Sequence, residues 1–103
     1  MTKLKHISSS EFWPTYVRGA AYLSNKDGAR ASHEFQQILD HRTAAPTSVL
    51  YPLAMLGVGR AAALTGDSAR ARRGYDDFFR VWRHADEHLA VVQQARREYA
   101  ALR

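Results

Sequence analysis

The segment WRHADEHLA, 82–90, places His84 and His88 four residues apart with Asp86 and Glu87 between them. On one helix that spacing sets two imidazoles on a common face, where they can hold zinc. The order is not HExxH, because no glutamate follows the first histidine. Asp86 is also suited to cap a helix N-terminus, which would leave His84 outside the helix and part the two rings. His33 and Glu34 make the next acid–base pair, but helix neighbours point in different directions and no third polar group converges on them. Ser8, Ser9 and Ser10 lack the glycine setting of a nucleophile elbow, and Ser10 fits an N-cap instead. With no cysteine in the chain, thiolate ligands, disulfides and cysteine nucleophiles are excluded. The expectation is a non-enzymatic chain with no catalytic residue, cofactor or metal ligand.

The charges point to a partner class only weakly. Lys plus Arg number 15 against 10 Asp plus Glu, and most of the arginines lie at or after Arg60. A basic second half suits nucleic acid or an anionic surface, which is the alternative function carried forward. Against it, Arg72 and Asp76, Arg73 and Asp77, and Asp76 and Arg80 each stand four apart, as on a solvated helix face laced with weak ion pairs. No apolar run approaches the roughly 20 residues that cross a bilayer, and 1–10 lacks the apolar block of a secretion signal. These absences do not fix the compartment, which is expected to be cytoplasmic for the chain as it stands and periplasmic if it is the tail of a membrane-anchored parent.

Five segments carry apolar residues at helical spacing and none alternates like a strand, so the fold class is all-α in one domain over 10–103, after a flexible lead-in over 1–9. The first helix spans 11–24, with Ser10 as cap and Pro14 in the first turn. A second begins at Asp27 and runs to His41, and Pro46 marks the loop that follows. The third opens at Ser48 and closes at Gly66, where Asp67 starts the fourth. The last spans 86–102, with Asp86 as cap and Leu89, Val92, Tyr99 and Leu102 as its apolar stripe.

A shift of forty residues lays Gly19 on Gly59, Ala21 on Ala61, Asp27 on Asp67, Ala29-Arg30-Ala31 on Ala69-Arg70-Ala71, and Phe35 on Tyr75. The matches fall at the tight turn and at the small residues beside it. A unit duplicated over 10–42 and 48–83 explains them better than two unrelated amphipathic helix pairs do.

This pattern resembles the tetratricopeptide repeat (TPR), a helix–turn–helix of about 34 residues with G-x2-Y and A-x3-F signatures. Gly19-x2-Tyr22 and Ala31-x3-Phe35 fit the first copy, and Gly59 and Ala71-x3-Tyr75 the second. Thr15 and Met55 stand where the family has its first aromatic, and Thr43 and Arg83 where it has its proline. WPTYVRGAAYL, EFQQILDHR and EYAAL are also similar to the C-terminal repeats that follow bacterial serine/threonine kinase or winged-helix regulator domains. No kinase motif is present.

The resemblance implies two TPR-like repeats with a capping helix, and a concave face that binds peptide segments. Its inward positions would be Tyr16, Ala20 and Leu23, then Leu53, Leu56, Arg60, Ala63 and Leu64, with Arg60 available to pair with a carboxylate. The competing expectation is that the last helix fills this groove itself. Phe12 and Trp13 add an apolar edge where a preceding repeat would stack, so self-association through that end, or through an exchanged helix, is expected.

Overall fold

Asp27 and Asp67 each turn the chain from one helix into the next by the same set of bonds. In the computed structural model, which describes residues 13–41, 50–82 and 89–102, the elements are α1 (Trp13–Ser24), α2 (Gly28–Asp40), α3 (Leu50–Leu64), α4 (Ser68–Val81) and α5 (Ala90–Ala100). No strand occurs among the described residues. The fold is all-α.

The two inner turns superpose bond for bond at a spacing of forty residues. Asp27 N–H donates to Tyr22 O at 2.8 Å and Asp67 N–H to Ala62 O at 3.0 Å. Lys26 N–H reaches Leu23 O at 3.0 Å and Gly66 N–H reaches Ala63 O at 3.2 Å. This pair of bonds closes a helix when the residue after it adopts a left-handed conformation. Gly66 does so at φ 83°, where it has no Cβ to clash, whereas Lys26 takes φ 62° with a full side chain. Each aspartate then caps the next helix, its Oδ1 accepting the N–H of Arg30 or Arg70 at 3.1 Å.

Successive helices pack α1 on α2, α2 on α3 and α3 on α4, with α1 also touching α3 and α5 resting on α4. Because α3 is apolar nearly all round it is buried on both flanks, and it divides the core. On one side Phe35 and Ile38 of α2 meet Leu50, Ala54 and Val58, with Tyr16 and Leu23 of α1 against them. On the other, Leu56 meets Tyr75, Phe78, Val92 and Ala95. Two close approaches depend on missing side chains. Phe35 lies between Gly19 and Gly57, where an added Cβ would stand 2.7 and 2.6 Å from its ring. Gly74 of α4 faces Gly59 of α3, where an added Cβ would stand 2.6 Å from the Gly59 backbone.

Several boundaries differ from expectation. The last helix starts at Ala90, not at 86; Leu89 precedes it in extended backbone with no side-chain cap. Leu89 therefore stands outside the stripe it was assigned to and is 42% exposed. Ser10, Phe12, Pro46, Ser48, His84, Asp86 and His88 lie outside the described residues. On α4 the ion pair that forms among the described residues is Asp77 with Arg80, three apart, instead of Arg72 with Asp76, Arg73 with Asp77 or Asp76 with Arg80.

Candidate functional site

The inward residues of α1 and α3 share one recess. A hollow of about 410 Å³ is lined by Tyr16, Ala20, Leu23, Leu53 and Arg60, with Glu98 of α5 at its border. A second hollow of about 360 Å³ continues it past Leu23 and Arg60 to Ala63, Leu64 and Lys26. Tyr16, Leu23, Leu53 and Arg60 line the first hollow, and Leu23, Arg60 and Leu64 the second. The helical period explains this, since 53, 57, 60 and 64 recur on one face of α3 and 16, 20 and 23 on one face of α1.

Leu56 is the correction. It is 1% exposed and packed under Val92 and Ala95, so it belongs to the core between α3, α4 and α5 and cannot contact a groove ligand. The last helix covers that part of α3 and leaves the remainder of the groove open.

Arg60 is committed within the chain. Its Nε donates to Glu98 Oε1 at 2.7 Å, and the Tyr75 hydroxyl donates to the same oxygen at 2.8 Å. Gln94 Nε2 donates to the other oxygen at 2.9 Å. Burial alone would push the Glu98 carboxyl up, but the hydrogen bonds from Arg60, Gln94 and Tyr75 and the charge of Arg60 outweigh it, and the carboxyl sits below its ordinary value. Tyr75 is driven the other way, first by burial and then by the Glu98 carboxylate, so its phenol is held well above the usual range. Sequence reasoning missed Glu98. Its signal was its place three residues after the apolar Ala95 and four after Gln94, on the margin of the buried stripe.

The acid–base candidates disperse. Glu34 pairs with Arg18 of α1 at 3.1 Å, and His33 bonds Gln37 at 2.9 Å on the exposed side of α2. His41 donates Nδ1–H to the Gln37 carbonyl at 2.9 Å, at the C-terminal end of α2. No cluster of metal-ligating side chains occurs among the described residues.

Trp13 is 48% exposed and meets Tyr16 edge to face, with ring centroids 5.7 Å apart. Val17, one turn on, is 59% exposed. Val17 and Ala21 of α1 correspond at the forty-residue spacing to Gly57 and Ala61 of α3, both buried. The face that α3 buries is therefore the face that α1 leaves open. No helix of the described residues is long and apolar enough to cross a membrane.

Compared with protein-family models, curated proteins and solved structures, the chain gives no match.

Proposed function

We propose that this chain is a non-catalytic interaction module of the tetratricopeptide-repeat kind, receiving an apolar peptide segment on the inner faces of α1 and α3. The observation that carries the reading is the shared recess of Tyr16, Leu23, Leu53 and Leu64, open beside the helix that covers Leu56. Arg60 is occupied by Glu98, so selection rests on apolar side chains in the groove. Association with a second copy through Trp13 and Val17 belongs to the same reading, since a contiguous exposed apolar edge marks a contact surface.

The test is selection of a displayed random-peptide library on the immobilised chain, followed by fluorescence titration of the enriched peptides. Apolar peptides that bind with little dependence on salt, and lose at least about tenfold in affinity on Leu64→Asp, are expected. Leu64 is the right position because it is exposed, whereas Leu56→Asp would unfold the chain. Failure to enrich any peptide would overturn the groove reading. Binding of an oligonucleotide that falls steeply with salt would favour the arginine-based alternative.

A further inference from the structure

The opposite face of α3 carries a second recess that the groove reading does not use. It lies between α2 and α4, has a volume of about 240 Å³, and is floored by Leu39, Met55 and Val58. Arg70 and Arg73 of α4 line it. At three-residue spacing they share one side of that helix.

Neither guanidinium has an ion-pair partner among the described residues. The carboxylate that spacing offers to Arg73 is that of Asp77, and Asp77 is taken by Arg80. Asp76 faces the Tyr99 hydroxyl on α5 and holds that phenol above its ordinary value. Asp67 accepts the backbone N–H of Arg70 as a helix cap but, unlike Asp27 with Arg30, forms no ion pair with the side chain.

We propose that this recess binds an acidic side chain of a partner polypeptide, with a neighbouring apolar residue of the same segment resting on the floor. Two guanidiniums side by side suit a single carboxylate, which can take charge-assisted hydrogen bonds from both. The apolar floor accounts for the second half of the ligand. The volume is that of a side chain or two, below the roughly 300–1,000 Å³ of small-molecule pockets. A polyanion fits less well. Asp77 also lines the recess, so a run of phosphates would meet a carboxylate there, with a second, Asp40, bonded to Gln36 of the facing wall at 3.0 Å.

Acetyl-Leu-Glu-amide is the probe, titrated into the isotope-labelled full chain and followed by amide chemical shifts. Shifts are expected around Arg70, Arg73 and Met55, with acetyl-Leu-Gln-amide leaving them in place. The double variant R70Q/R73Q, checked for retained helicity by circular dichroism, should weaken binding about tenfold or more. R73K in the native background should retain part of the affinity, and R72Q, a neighbour outside the recess, should match the native chain. The proposal is overturned if the recess shows no shifts up to ~10 mM peptide, if the Gln probe reproduces them, or if they map to Lys26 and Arg60. It is equally overturned if a single-stranded oligonucleotide binds these arginines more tightly than the acidic probe does.

Discussion

Arg60 on α3 and Glu98 on α5 meet at 2.7 Å, and their contact fixes the last helix to the middle of the fold. The Tyr75 hydroxyl of α4 reaches the same carboxylate oxygen, so one side chain ties three helices. The apolar strip of Val92 and Ala95 and the Tyr99 ring against Tyr75 and Phe79 pack the rest of α5, and this polar contact adds to them in setting its register.

Glu98→Gln is expected to cost no more than about 1 kcal/mol, because the pair is partly solvated. Its effect should depend on pH. The folded carboxyl lies below its unfolded value, so as acid is added the unfolded chain takes up the proton first. The contribution is complete above about pH 4.3 and disappears as pH falls through the folded value. Urea unfolding at neutral and acid pH checks this: the variant and the native chain should differ at neutral pH and converge in acid.

Tyr75 should behave in the reverse sense. Burial and the Glu98 carboxylate raise its phenol, so its stabilising contribution is complete below about pH 10 and is lost as pH rises further. Ultraviolet titration should find one tyrosine that ionises only as the helices melt, and Tyr75→Phe should remove that tyrosine from the alkaline unfolding step. A Tyr75 that titrates freely in the folded chain would contradict the buried bond.

Gly57→Ala should drive a methyl group into the Phe35 ring, since the added carbon would stand 2.6 Å from it. The expected loss is about 1–3 kcal/mol from overpacking, reduced by alanine's better helix propensity. Pairing the change with Phe35→Leu should recover part of the loss, a non-additivity that thermal unfolding of the single and double variants would measure.

Lys26→Gly should stabilise the chain by about 0.5–1 kcal/mol, because Lys26 holds a left-handed backbone that Gly66 adopts in the second unit without strain. Gly66→Ala should cost about 1 kcal/mol for the same reason. Denaturation midpoints of the two variants should move in opposite directions.

Trp13→Ser with Val17→Ser should lower any self-association at a modest cost in stability, about 1 kcal/mol, from the lost edge-to-face contact of Trp13 with Tyr16. Sedimentation of the native chain and the double variant decides it; a native chain that stays monomeric at high micromolar concentration would remove the edge from the functional reading.

Much of this architecture was legible locally. The two aspartate caps, the left-handed closure at Gly66 and the helical periods follow from interactions within one turn of chain, which a sequence carries in full. Helical spacing keeps Tyr16 with Leu23 on α1 and Leu53 with Leu64 on α3; that these faces would line one groove was what the tetratricopeptide resemblance implied. Three things were not legible. Leu56 falls into the core and not the groove, because α3 is apolar nearly all round and periodicity cannot say which neighbour covers which side. Glu98 finds Arg60 and Tyr75 across 38 and 23 residues of chain, a pairing that only the docking of α5 creates. Asp77 turns to Arg80, leaving Arg73 over the back of α3, because four-residue and three-residue partners compete on the same helix surface and side-chain geometry chooses between them.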